Sequence, residues 1–207
     1  MASSATAMEY PVEPNTVTED SVSRPYRAEV TIEGIRPLLF HRYDTQLIAD
    51  KSALKKGSKA KKTDNVESSV YLSDEGTLSV PGLNFHSALI AASKFHSDPR
   101  SPRASAKELF KCGILVVDDL AEITPPRKTW DFEDARRVRV QNSYITRVRP
   151  GIKKGWKLTF TVDVALPEYI TPGLLQEVVV DAGRYCGICD FRPVFGRFSM
   201  TGFKVLA

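Results

Sequence analysis

Histidine, cysteine and tryptophan are scarce in this chain of 207 residues, which has three, three and two of them. The cysteines, Cys112, Cys186 and Cys189, are an odd and thin set, which argues against a disulfide-scaffolded secreted domain and for a reducing compartment. No run approaches the roughly 18 consecutive apolar residues that a membrane-crossing helix needs. The opening MASSATAMEYPVEP has neither the basic segment nor the apolar stretch of a secretory signal. A soluble, cytoplasmic protein with no membrane partner is expected. A Walker loop, a nucleophile elbow, a Rossmann fingerprint and paired catalytic carboxylates are also missing, so the enzyme classes they announce are not expected.

Basic charge, by contrast, is present and unevenly placed. The formal net charge is +4, but residues 1–23 hold Glu9, Glu13, Glu19 and Asp20 with no Lys or Arg. Between Arg127 and Lys157 the sequence sets Arg127, Lys128, Arg136, Arg137, Arg139, Arg147, Arg149, Lys153, Lys154 and Lys157 against Asp131, Glu133 and Asp134 alone. Charge concentrated in this way suits a polyphosphate backbone, and a solvated basic hairpin is the plainer alternative.

A hydrophobic content of 42% is ample for one elaborated domain. Residues 1–24 are polar, acidic and without apolar period, which predicts a disordered tail ahead of a domain spanning 25–207. Within that domain, 49–68 contains six lysines and little that can pack, the composition of a mobile loop, and 120–155 forms a basic insertion.

Periodicity supplies the elements. Ala28, Val30 and Ile32 alternate with polar residues as in a strand buried on one face. Val70–Leu72 and Thr77–Val80 flank Ser73-Asp74-Glu75-Gly76 as a small hairpin that Pro81-Gly82 stops. Phe85, Ala88, Leu89, Ala92 and Phe95 make the apolar stripe of a first helix. Residues 96–105 read as loop, Ala104–Lys111 as a short helix and Ile114–Val117 as a buried strand. Leu158, Phe160, Val162 and Val164 mark a strand over about 156–166, with 138–148 expected as its hairpin partner through RPGIKKG. Thr171 as N-cap and Pro172 at the first position start a second helix with Leu174, Leu175, Val178, Val179, Ala182 and Cys186 on one face, and Gly187 stands where it should end. Phe198, Met200, Phe203 and Val205 close the chain as a strand, with Gly202 at a bulge. The order predicts an α+β protein, a single ferredoxin-like (RRM-type) βαββαβ domain with inserted basic loops and a hairpin.

The link from the second helix to the last strand, GRYCGICDFRPVFGR, is the sharpest local feature. Gly183, Gly187 and Gly196 remove side chains, and Arg184, Arg192 and Arg197 bring guanidinium forks suited to phosphate. A phosphate cradle is one reading. A structural cap and turn whose arginines pair with Asp181, Asp190 or carbonyls is the other. Cys186-Gly-Ile-Cys189 has redox or half-zinc spacing, but at a helix C-terminus it lacks the dipole that would lower a thiol pKa, so inert thiols are expected, with no metal and no cofactor. Trp130, Phe132, Tyr144 and Trp156 lie among the basic residues, where they can either stack on bases or pack in the hairpin. Of the histidines His41, His86 and His96, the first two are the candidates for a general acid or base, but no compact His, Tyr and Lys set is visible, so no catalytic residue is assigned.

A helix, a Gly-rich loop with basic residues and a final strand in this order resemble the signature region of the RAMP superfamily, and Leu78-Ser79-Val80-Pro81-Gly82-Leu83-Asn84-Phe85-His86-Ser87-Ala88-Leu89 is similar to the segment that opens the first helix of its Cas7-like branch. The run GICDFRPVFGRF also looks like that of small phage and prophage proteins. The resemblance implies a non-catalytic binder of single-stranded RNA or DNA, RNA favoured, that self-associates along the strand or joins a larger ribonucleoprotein assembly, encoded by a phage or mobile element. Its contact residues would be Arg184, Arg192, Arg197, Arg147, Arg149, Lys153, Lys154, Arg137 and Arg139. A Cas6-like metal-independent endoribonuclease and a phage assembly protein that touches no nucleic acid are the competing readings.

Overall fold

The computed structural model describes residues 24–42, 66–140 and 143–206. Residues 1–23 of the expected tail and 49–65 of the lysine-rich segment lie outside them. At the segment's far end a 3-10 turn, Glu67–Ser69, is already in place, with the Arg42 amide donating to the Ser69 carbonyl at 2.9 Å.

Four antiparallel-paired strands form the central sheet: β1 (Tyr26–Gly34), β7 (Ile114–Val116), β11 (Lys157–Val164) and β12 (Phe198–Leu206), in the spatial order β12-β1-β11-β7. The period-2 alternation in β1 has its expected result, since Ala28, Val30 and Ile32 are fully buried and Val30 faces Phe160 on one side and Phe203 on the other. On the buried face lie α1 (Gly82–Ser93) and α3 (Pro172–Asp181). Phe85 of α1 stacks on Phe160 with centroids 4.3 Å apart, and Leu175, Val178 and Val179 of α3 join the same core. The Thr171 hydroxyl accepts from the Leu174 amide, the predicted cap. Thr31 faces Gly202 and Ile32 faces Met200, so Thr201 is the extra residue of a bulge.

The other sheet face is polar and neutralised. Arg27 grips Asp163 through two bonds of 2.5 and 2.8 Å, Thr31 meets Thr159 at 3.0 Å and Lys157 meets Glu33 at 3.3 Å. Each is a cross-strand neighbour in the β1–β11 register.

Smaller elements surround this frame. Beside β2 (Leu38–Leu39), the strands β9 (Phe132–Val140) and β10 (Ser143–Ile152) form a three-stranded sheet. Another joins β3 (Tyr71–Leu72), β4 (Leu78–Pro81) and β8 (Leu120–Glu122). A short hairpin, β5 (Ser97–Asp98) with β6 (Ser101–Ser105), occupies the stretch read as loop, and α2 (Lys107–Gly113) follows it.

Three expectations are corrected. The partner of β10 is β9, not β11, which pairs with β1 and β7. Period-2 patterning identifies a strand without naming its neighbour, and at Gly155, φ +93°, the chain turns from one sheet into another. Phe95 does not join the core stripe, because α1 ends at Ser93 and the ring is 54% exposed. The strand at 114–117 is an edge rather than an interior strand, with Ile114 buried but Leu115 and Val117 exposed. Among the described residues no helix is long and apolar enough to cross a membrane.

Candidate nucleic-acid interface

β9 and β10 pair as a ribbon over 132–151, and its register sorts the arginines onto two faces. Arg136 lies opposite Arg147 and Asp134 opposite Arg149. This inner face packs on the glycine-rich loop: the Arg136 guanidinium sits 4.8 Å from the Phe195 ring centre and the Arg149 guanidinium 4.5 Å from that of Phe191. Arg149 is ion-paired with Asp190 and only 6% exposed, and its Nη1 has no partner. A guanidinium enclosed in this way holds the ribbon to the loop and does not offer its fork to solvent. Of the arginines named from sequence as strand contacts, Arg149 is thus a positioning residue.

On the outer face Arg137 lies opposite Thr146 and Arg139 opposite Tyr144. Arg137, Arg139 and Thr146 are exposed, and Tyr144 is 70% exposed. Two cations one strand-repeat apart, about 6.7 Å, therefore stand beside an open aromatic ring. Of the other aromatics considered from sequence, Trp156 is buried with its indole N–H donating to the Arg36 carbonyl at 2.9 Å, Trp130 packs against the core and Phe132 lies against Gly151. Tyr144 alone of the four has an exposed ring.

The three glycines of the loop are used by the chain itself. A Cβ at Gly183 would stand 2.2 Å from the Phe198 carbonyl oxygen, one at Gly196 would stand 1.9 Å from that of Ile188, and one at Gly187 would crowd the carbonyls of Phe195 and Gly196. The loop closes through Ile188 N–H to Gly196 O at 3.0 Å and is sewn to the segment after β1 by Gly196 N–H to Pro37 O and Asp190 N–H to Leu39 O, at 2.8 and 3.0 Å. Cys189 and Phe191 adopt left-handed φ of 61° and 56°, which directs the Phe191 ring under the ribbon. The glycines thus give the chain room to fold on itself, as the structural cap-and-turn reading of this loop expects. Arg197 donates to the Pro193 carbonyl at 2.6 Å and Arg184 lies 3.9 Å from Asp181, the pairings of the structural alternative, while Arg192 is exposed.

Lys153 and Lys154 are exposed at the turn between β10 and β11, on a cleft of about 310 Å³ shared with Arg127, Pro125, Pro126 and Trp156. Asp131 holds this turn by pairing with Arg127 and accepting from the Lys153 amide at 2.8 Å. Asp190 is among the acidic partners that the sequence offers the arginines, here taken up by Arg149, whereas nothing in the spacing of the sequence singles out Asp131, Phe191 or Phe195. The only available signal for the last two was aromatics four apart in a loop.

The histidines are dispersed. His96 lies 3.1 Å from Asp181 and 3.6 Å from Glu177, His86 is half-buried with Nδ1 unpartnered, and His41 is exposed at a small hollow of about 120 Å³ lined also by Phe40, Tyr71, Asn84, Cys189 and Asp190. Burial pushes the Cys186 and Cys189 thiols above their ordinary value, which keeps both protonated at neutral pH, as inert thiols require.

No protein-family model matches the chain, and no curated protein matches it in sequence. Solved structures do. A chain of the Type III-B Cmr-beta complex bound to cognate target RNA superimposes with a TM-score of 0.53 at 10% identity, over 91% of this chain and 63% of that one. A Cas6 product complex matches at 12% identity over 91% and 54%, with a TM-score of 0.23, too low to carry an argument. The first match shows a shared fold, and this chain spans less than two thirds of the length of the chain it resembles.

Proposed function

We propose that the chain is a non-catalytic, Cas7-like subunit that binds single-stranded nucleic acid, RNA in preference to DNA, on a ferredoxin-like frame, and that it works beside other copies or subunits along the strand. The strand order β12-β1-β11-β7 supports a split βαβ frame, with the ribbon read as its insertion. The shared fold with a chain of an RNA-bound Cmr-beta complex supports the reading at the level of architecture.

The observation that carries it is the outer ribbon face, where Arg137 and Arg139 stand beside Tyr144. Cations meet phosphates and an open ring meets a base, a combination that tolerates any sequence. The β1–β11 ladder on the open sheet face has no aromatic ring and holds Arg27 and Lys157 in ion pairs, so a bound strand follows the ribbon and the exposed Arg192, Lys153 and Lys154 instead of crossing the sheet. Binding of an unstructured 20-nucleotide RNA across a salt series tests it: log affinity falls linearly with log salt if phosphates are neutralised. Failure to bind, or affinity indifferent to salt, favours the assembly-protein reading.

One observation favours a metal-independent endoribonuclease as the second reading, because His41 and Tyr71 line the same hollow. Its volume is well below the roughly 300 Å³ at which ligand pockets begin. Specific RNA cleavage in chelator, lost in His41→Ala, would establish the nuclease.

A further inference from the structure

Phe95 and Tyr185 both occupy positions where a regular helix would bury them. Phe95 continues the stripe Phe85, Ala88, Ala92, and Tyr185 lies seven residues after Val178 and three after Ala182, all of them buried. Neither ring is inside. The first helix stops at Ser93, and the Phe95 amide bonds back to the Ala92 carbonyl at 3.0 Å, so the ring leaves the helical face. Helix α3 widens into a π turn, Ala182–Cys186, whose extra residue rotates Tyr185 outward. The two irregular helix ends bring the rings together edge to face, centroids 5.3 Å apart, with 54% and 47% of their surfaces exposed.

Each ring carries a cation. Lys94 Nζ lies 4.7 Å from the Phe95 ring centre and the Arg184 guanidinium 5.8 Å from that of Tyr185. The nearby carboxylates are already engaged, Asp181 with His96 and Arg184 and Glu177 with His96. We infer that Phe95 and Tyr185 form a second nucleobase-stacking site, with Lys94 swinging from its ring to a phosphate that flanks the bound base and Arg184 staying beside Tyr185 and Asp181. The inference rests on the single-strand reading above and extends it to a face that the ribbon does not provide. Two exposed rings alone would fit a protein partner equally well. The paired cations favour a nucleotide, in which every base has a stacking face and every linkage an anion. The site lies past the end of α1, whose stretch from Asn84 to Ser93 is about 14 Å long, and the Asn84 side chain accepts from the Cys189 amide in the glycine-rich loop. Such a span fits within a 20-nucleotide strand.

The test compares the full chain with Phe95→Ala and Tyr185→Ala in binding fluorescent 20-mers, one of uridine and one of abasic sugar-phosphate with the same charge. Each substitution should weaken uridine 20-mer binding by about 5- to 150-fold and leave both the abasic affinity and the salt slope unchanged. Because the rings are exposed, melting temperatures should hold. Tyr185→Phe, which keeps the stacking face, should bind as the parent does. A parent that binds neither oligonucleotide overturns the single-strand reading and this site with it. A parent that binds with the expected salt slope, but whose Ala variants keep full uridine affinity, overturns this site alone. The same Ala variants altering self-association in sedimentation with RNA affinity intact would assign the rings to a protein contact and also overturn it.

Discussion

Arg149 on the ribbon and Asp190 in the glycine-rich loop, 41 residues apart in sequence, form the ion pair that fixes one to the other. The Phe191 ring lies 4.5 Å below the same guanidinium, so charge and stacking both hold the ribbon at one angle. Removing one partner of a fully enclosed pair costs about 3–5 kcal/mol. Asp190 keeps 30% of its side chain exposed, so Asp190→Ala should cost nearer 2–3 kcal/mol on that scale, read as a lowered urea midpoint. Arg149→Lys should not restore stability, because an ammonium lacks the planar fork that stacks on Phe191. Parent-like stability in Arg149→Lys would show that the ring contact contributes nothing.

The glycines of the loop and of the turn after β10 should respond differently to the same change. Gly155 has φ +93° with nothing within 4 Å of its missing Cβ, whereas Gly196 has φ +69° and a carbonyl oxygen 1.9 Å away. Gly155→Ala pays only for the left-handed backbone, about 1–2 kcal/mol. Gly196→Ala must also open a loop held on both sides and should cost more than about 4 kcal/mol, in the tail of single-substitution effects. Equal losses would mean that the loop is not closed in this way.

Stability should fall in acid with a recognisable origin. Hydrogen bonds from Arg127 to Asp131, from Arg27 to Asp163 and from Arg100 to Asp98 hold each carboxyl below its ordinary 3.8. The unfolded chain therefore takes up protons first as pH drops. The contribution of these groups is fully present above about pH 5 and is lost as pH falls through 3.8 toward the folded values. Urea midpoints at pH 5, 4 and 3 should decline in the parent and less steeply in Arg27→Met. An identical decline in both would remove Asp163 from the account.

The frame was readable from sequence wherever one physical signal dominated. Alternation placed Ala28, Val30 and Ile32 inside, and Thr171 with Pro172 set the start of α3, because burial and capping act locally. Strand partners were readable across the short turn at 73–76, where β3 pairs with β4 as expected, but not beyond it: β10 pairs backward with β9 and the chain leaves for another sheet at Gly155, a tertiary choice that residue patterning does not encode. The candidate site was legible as charge and illegible as geometry. Arg149 and Arg137 look alike in sequence, and only the register and the loop beneath separate an enclosed strut from an exposed contact. Phe95 was hidden for the opposite reason, since its spacing reads as core and only the end of α1 expels it, and Tyr185 carried no signal of its own in the sequence.

The salt dependence of binding to an unstructured 20-nucleotide RNA, measured for the parent and for Arg137→Ala/Arg139→Ala, tests the central claim most directly. Each phosphate contact contributes about 0.7 to the slope of log affinity against log salt for a single strand, so loss of two should lower the slope by roughly 1.4. Melting should be unchanged, because both side chains are exposed on the outer face. A folded double variant that binds with the parent's affinity and slope would contradict the ribbon as the nucleic-acid interface.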